Sequence, residues 1–131
     1  MRKGKMLNAE IMSVISKMGH TDKIAIADAG LPIPDHVKRI DIALVDGVPT
    51  FLQVLNALLE VYQCERYILA NEISENNPDI EKEILIKLKD YNASYVTHEK
   101  FKSECNDVKA VIRTGECTPY ANIILKSGVT F

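Results

Sequence analysis

Lys23-Ile24-Ala25-Ile26-Ala27-Asp28-Ala29-Gly30-Leu31-Pro32-Ile33-Pro34 is the stretch on which the fold turns. Its first five residues have an apolar core that is β-branched at Ile24 and Ile26, as in a strand of a parallel sheet covered on both faces. The segment after them is rich in hydrogen-bonding and turn-forming residues, and the two prolines stiffen it. A buried strand running into a polar loop is where ligand sites lie in α/β proteins. Asp28 stands at that junction, its carboxylate next to the strand, with Gly30 allowing close approach of the backbone. As an isolated buried charge it would be costly, so it either faces a polar ligand or caps the next turn.

Upstream, Asn8 is an N-cap for a helix over residues 9–18, whose Ile11, Val14, Ile15 and Met18 recur at helical spacing until Gly19 stops it. Downstream, residues 39–45 alternate apolar and polar side chains and read as a second strand. Residues 50–62 carry Phe51, Val54, Leu55, Leu58 and Leu59 on one helical face, and residues 66–70 form a third strand. Asn77-Pro78 opens another helix, with Ile80, Ile84, Leu85 and Leu88 as its buried stripe. Residues 94–97 form a fourth strand ending at His98, residues 99–105 a short helix or turn, residues 110–113 a fifth strand and residues 121–125 a sixth. Strands alternating with helices, joined by connections long enough for crossovers, give a three-layer α/β/α single domain over residues 1–131 around a largely parallel, mixed six-stranded sheet.

The composition narrows the function. With 131 residues, 47% hydrophobic and 26% charged, the chain suffices for one core. A formal charge of −2, with Lys and Arg dispersed, provides no basic field for nucleic acid. No apolar run approaches a membrane span or the core of a secretory signal, so a cytoplasmic protein with no membrane insertion is expected. Cys64, Cys105 and Cys117 form neither an even disulfide set nor a metal-binding pair, which suits reduced thiols and no bound metal. No GxGxxG or Walker pattern is present to cradle a nucleotide. Cys117 is read as a small packing thiol; the competing reading, a nucleophile served by His20 or His98, lacks an elbow or oxyanion-hole motif.

Two polar islands hold the chemistry. In Gly19-His20-Thr21-Asp22, His20 follows the helix stop, where exposed carbonyls attract a cation and the imidazole can give up a proton; a histidine merely capping the helix end fits the same spacing. His98 closes a strand, and Lys102 four residues later falls on the same side of a helical turn; a solvated helix start with an ordinary exposed lysine is the plain alternative. In Thr114-Gly115-Glu116-Cys117-Thr118-Pro119-Tyr120-Ala121-Asn122, the phenol, amide and backbone groups of Tyr120, Ala121 and Asn122 suit sugar hydroxyls. Thr114-Gly115-Glu116 is too short and acidic for a phosphate loop. His20, Asp28, His98 and the island after Arg113 all fall at element ends, and if those ends meet along one edge of the sheet they make one pocket.

Together with Leu7-Asn8, Arg39-Ile40-Asp41, Thr97-His98-Glu99, Arg113-Thr114-Gly115-Glu116 and the closing Gly128-Val129-Thr130-Phe131, these motifs resemble, over essentially the whole chain, the D-ribose pyranase and L-fucose mutarotase family. The Gly30-Leu31-Pro32-Ile33-Pro34 loop and the unbroken Tyr120-Ala121-Asn122 are similar to the ribose branch. The resemblance implies a cofactor-free enzyme acting on D-ribose, interconverting pyranose and furanose. It implies His20 as proton donor, with Asp28, His98, Lys102, Tyr120, Ala121 and Asn122 binding the sugar, and a homo-oligomer, commonly a decamer, with pockets near subunit contacts. Opening a hemiacetal ring needs only a proton delivered to the ring oxygen and one removed from the anomeric hydroxyl, so no metal or hydride carrier is required. A mutarotase of another sugar such as L-fucose and a non-catalytic monosaccharide-binding accessory of ribose uptake are the alternative readings. The apolar tail ending in Phe131 would expose an aromatic ring as a free terminus, so burial against its own subunit or a neighbour is expected.

Overall fold

A computed structural model describes residues 1–131. Helix α1 (Ala9–Lys17) is capped by Asn8, whose side chain accepts from the Ile11 amide at 2.9 Å. Strand β1 (Lys23–Ala27) follows, then β2 (Lys38–Asp41) and helix α2 (Phe51–Leu59). Thr50 and Gln53 close a reciprocal capping box at the start of α2, an arrangement whose Thr contributes about 1 kcal/mol. Strand β3 (Cys64–Ala70) leads through a one-turn helix α3 (Ile73–Asn76) into α4 (Pro78–Lys87), which Pro78 opens at a position that needs no amide donor. Strand β4 (Asn92–Val96), helix α5 (His98–Glu104), a 3₁₀ turn (Cys105–Asp107), β5 (Ala110–Arg113) and β6 (Ile123–Ser127) complete the chain.

The sheet order is β2-β5-β1-β6-β3-β4. β1, β2 and β5 pair in parallel, as do β3 and β4, whereas β6 lies antiparallel between β1 and β3. The five parallel strands therefore deliver their C-terminal ends to one edge, and β6 begins at that same edge.

Alternation along β1 divides the core. Ile24 and Ile26 face a large cluster with Ile11 of α1, Phe51, Val54, Leu55 and Leu58 of α2 and Ile84 of α4. Ala25 and Ala27 face a thinner layer of Leu31, Ile33, Val37, Phe101 and Cys105. The alanines on this face let α5 and the 31–37 loop pack close to the sheet, so the third layer of the expected α/β/α sandwich rests on one short helix and a stiffened loop. Phe51, Tyr67 and Phe101 are among the largest fully buried side chains, each stabilising by about 1.5–3 kcal/mol relative to exposure.

Several local expectations are corrected. The alternating run 39–45 leaves the sheet after Asp41, and its outer part forms a small hairpin through a Val45–Val48 bridge, with Leu44 and Val45 exposed. Leu85 lies outside the buried stripe of α4. Residues 121 and 122 precede β6 rather than opening it, and α3 was not anticipated. Cys117 is exposed rather than packed: its Sγ is 3.4 Å from the Gly115 carbonyl and 3.7 Å from Asp46 Oδ1, and no imidazole bonds to it. Burial instead holds Cys64 and Cys105 inert, with thiol pKa values pushed up to about 11 and about 12.

Candidate active site at the C-terminal edge of the sheet

Asp28 emerges from β1 and is locked on three sides. Its Oδ1 accepts from the Gly30 amide at 3.0 Å, closing an Asx turn. Its Oδ2 accepts from Asn122 Nδ2 at 3.0 Å, and its own amide donates to Asn122 Oδ1 at 2.8 Å. Asn122 is completely buried just ahead of β6. The carboxylate thus caps a turn and also lines a cavity. Arg113 at the end of β5 fixes the next residue by donating from Nε to the Ala29 carbonyl at 3.0 Å, while its Nη1 grips the Asp41 carboxylate at 3.1 and 3.2 Å.

His98 arrives from the neighbouring half of the sheet as the first residue of α5. Its amide donates to both carboxylate oxygens of Glu72, at 2.9 and 3.1 Å, so the loop after β3 clamps the helix that presents the imidazole. The ring meets the Tyr120 ring edge-on at a centroid distance of 5.0 Å. Nδ1 of His98 is buried with no hydrogen-bond partner, a state that carries a cost unless a ligand or water pairs with it. Asp28, Gly30, Leu31, His98, Pro119 and Tyr120 line a cavity of about 260 Å³. A second, open cavity of about 400 Å³ adjoins it across Asp28, Gly30 and Pro119 and extends to Glu116, Cys117 and Thr118.

The remaining sequence-derived residues fall as follows. Ala121 is fully buried, backbone included, in the larger core cluster and lines neither cavity. Lys102 bonds Glu99 on its own helix at 2.6 Å, which holds the Glu99 carboxyl below its usual range, and it lines neither cavity. His20 lies at the other end of the molecule. The five residues of β1 separate it from Asp28, about 16 Å of strand at about 3.3 Å per residue. There its Nε2 sits 3.3 Å from Glu65 Oε2, half exposed, in a cavity of about 430 Å³ lined also by Met18, Tyr62, Gln63, Ser127 and the 128–131 tail. Tyr62 in this cavity bonds Ser127 Oγ at 2.9 Å, and burial raises its phenol well above the usual value. The single pocket expected from element ends therefore divides within one chain. Asp28, His98, Tyr120 and Asn122 gather at one edge of the sheet, and His20 stands at the opposite edge.

Sequence reasoning missed the frame around the first cluster. Glu72, Asn77 and Glu116 support the cavity walls, and of these only Glu116 lay in a segment already marked as polar. No three His, Cys, Asp or Glu side chains are placed to share a metal ion, and no helix is long and apolar enough to cross a membrane.

Residues 1–130 match the description of the RbsD / FucU transport protein family. The chain belongs to that family. Among RbsD / FucU relatives, it is 55% identical over 131 residues to the D-ribose pyranase of Clostridium novyi, covering 100% of both chains. It is similar in structure to Bacillus subtilis RbsD complexed with D-ribose, with 45% identity, 100% coverage of both chains and a TM-score of 0.98. The fucose mutarotase of Streptococcus pneumoniae, in complex with L-fucose, has 26% identity, 95% coverage of both chains and a TM-score of 0.81. The structural match to Bacillus subtilis RbsD extends over the full chain, β6 included.

Proposed function

We propose that this chain is an intramolecular isomerase that interconverts the pyranose and furanose forms of D-ribose by opening and reclosing the hemiacetal ring. One observation carries the reading: Asp28, His98 and Tyr120 surround a small cavity at the sheet edge, in a chain that matches a ribose-complexed relative along its full length. At about 260 Å³ the cavity lies below the roughly 300–1,000 Å³ typical of larger ligands, a size suited to one sugar ring. Each Asp28 oxygen already accepts one protein donor and keeps a lone pair for a sugar hydroxyl. The His98 ring, which lines the cavity, and the phenol of Tyr120 supply further polar contacts, and the buried Asn122 acts by holding Asp28.

His20 is the proton donor to the ring oxygen in this proposal, a role that contributes about 10²- to 10⁴-fold. Since β1 keeps it from the Asp28 cavity of its own chain, it acts in a cavity of a neighbouring subunit. The open space beside Asp28 leaves room for such an approach. The exposed Phe131 and Val129 beside His20, and the exposed Leu44 and Val45 of the hairpin near Cys117, are apolar surface that association would cover. We therefore include a homo-oligomer, with a decamer as its expected form, and a cytoplasmic location in the proposal. As the ring opens, the anomeric hydroxyl passes its proton to Asp28 or to solvent beside it; rotation about the chain then brings a different hydroxyl to the carbonyl, and reversing both proton transfers closes the new ring.

Saturation-transfer NMR on the purified protein with a panel of monosaccharides tests the activity. Exchange between ribopyranose and ribofuranose accelerated over the spontaneous rate is expected, with weaker effects on other sugars. Binding without acceleration would leave a sugar-binding accessory, and preference for L-fucose would move the chain to the mutarotase branch.

A further inference from the structure

Glu116 is a buried carboxylate with no part in the ring-opening chemistry, yet it is tied to both walls of the sugar cavity. Its carbonyl accepts from the amide of Ala29, next to Asp28, at 2.8 Å. Its side chain begins a line of hydrogen bonds towards Tyr120. Oε1 accepts from the Phe51 amide at 3.0 Å, and Oε2 accepts from the Thr118 hydroxyl at 2.8 Å. Thr118 Oγ1 in turn accepts from Asn77 Nδ2 at 2.9 Å, and the same nitrogen donates to the Pro119 carbonyl at 2.9 Å. Asn77 is buried as well.

The direction of every bond in this line is fixed by its two ends. A backbone amide only donates and a carbonyl only accepts. Pro119 therefore requires the nitrogen of Asn77, the second hydrogen of that nitrogen occupies a lone pair of Thr118, and the Thr118 proton must pass to an acceptor. Glu116 must then accept on both oxygens, which a carboxylate does and an amide does not. The residue after Pro119 is Tyr120, which has φ +58°, a left-handed backbone that a residue with a side chain holds only under constraint.

We propose that Glu116, Thr118 and Asn77 act together as a positioning relay that holds Tyr120 against His98 in the geometry that receives the sugar. The relay ties the start of α2 to the α3–α4 junction and makes the shape of the cavity depend on a carboxylate whose two oxygens are both taken up by protein donors. The inference rests on the assignment of Tyr120 to the sugar site, and the experiment separates the two.

Full-length Thr118→Val, Thr118→Ser, Glu116→Gln and Asn77→Ala are compared by ribose exchange kinetics and by the ring-proton resonances of His98. The chain has three histidines, so the His98 signals are assigned by single substitution. They report the ring current of Tyr120, and Tyr120→Leu supplies the reference for its loss. Thr118→Val, Glu116→Gln and Asn77→Ala should raise KM about three- to tenfold, the scale of one lost hydrogen bond, with kcat held within about twofold. Their His98 signals should move towards the Tyr120→Leu position, while Thr118→Ser keeps both properties of the wild type. Thr118 is exposed, so its variants carry the test if Glu116→Gln or Asn77→Ala fails to fold. A folded Thr118→Val with unchanged KM and unchanged His98 signals would overturn the relay. Shifted signals with unchanged KM would support the relay and overturn the placing of Tyr120 in the sugar site.

Discussion

Replacing Asn122 by Asp puts a second carboxyl group where an amide now donates to Asp28 across 3.0 Å, inside a residue with no solvent exposure. Two unit charges at that separation repel by about 5.5 kcal/mol at an effective dielectric of about 20. The protein has a cheaper response, which is to keep the new carboxyl protonated so that its O–H replaces the lost N–H. Holding a proton at pH 7 on a group whose unfolded pKa is about 3.9 costs about 4 kcal/mol, at about 1.4 kcal/mol per pH unit. Because the folded pKa is raised, the native state binds the extra proton and the unfolded state releases it. Relative to wild type, stability is therefore retained below about pH 4 and falls by about 1.4 kcal/mol per pH unit above it. Thermal unfolding at fixed protomer concentration should place Asn122→Asp close to wild type at pH 4 and roughly 10–20 °C lower at pH 7. The exchanged pair, Asp28→Asn with Asn122→Asp, restores every donor and acceptor and should recover most of that loss at pH 7. It should not recover ribose turnover, because the charge has moved from the cavity wall into the core. A single variant whose difference from wild type is flat between pH 4 and pH 8 would refute this account of the Asp28–Asn122 pair.

Other outcomes follow from neighbouring features. His20→Ala should fold and assemble, since its ring is half exposed and its Glu65 contact is a surface pair, but exchange NMR should show most of the turnover gone and ribose binding less affected. Gly115→Ala should destabilise the chain by about 1–3 kcal/mol in urea unfolding, because a Cβ there would sit 2.3 Å from the Val48 carbonyl oxygen and prise away a hairpin held by the Gly47 and Gly115 amides. Removing residues 128–131 should lower the mass measured by light scattering and reduce ribose turnover with it; an unchanged oligomer with full activity would contradict the role given to the tail.

Alternation at Ile24 and Ile26 against Ala25 and Ala27 made β1 legible, as capping and spacing did for α1 and α2, because these signals are local. The same alternation misled over residues 39–45, since period two describes a short exposed hairpin as well as a strand. Strand direction left no trace in residues 123–127: the antiparallel course of β6 is set by which neighbours its backbone amides meet, and those lie far off in sequence. Asp28, His98, Tyr120 and Asn122 stood out because polar residues at strand ends are conspicuous, and the fold brings them to one edge of the sheet. The distance from His20 to Asp28 was misjudged although a strand had been read between them, and a strand that links two residues also holds them apart. Asn77 was read only as the opening of a helix, as nothing in Asn77-Pro78 reveals that its amide turns towards Thr118 and Pro119.

With His20 serving a neighbouring chain, as proposed, its placement at the opposite end of β1 from Asp28 has a genetic consequence. In an assembly whose every site borrows its acid from the next chain, a subunit disabled at His20 still offers an intact sugar cavity, and one disabled at Asp28 still offers an intact imidazole. Co-expressed in equal amounts, two such inactive chains form mixed rings in which about a quarter of the sites unite the sound halves by chance. Two null alleles would then complement each other, whereas a chain carrying both lesions would complement neither.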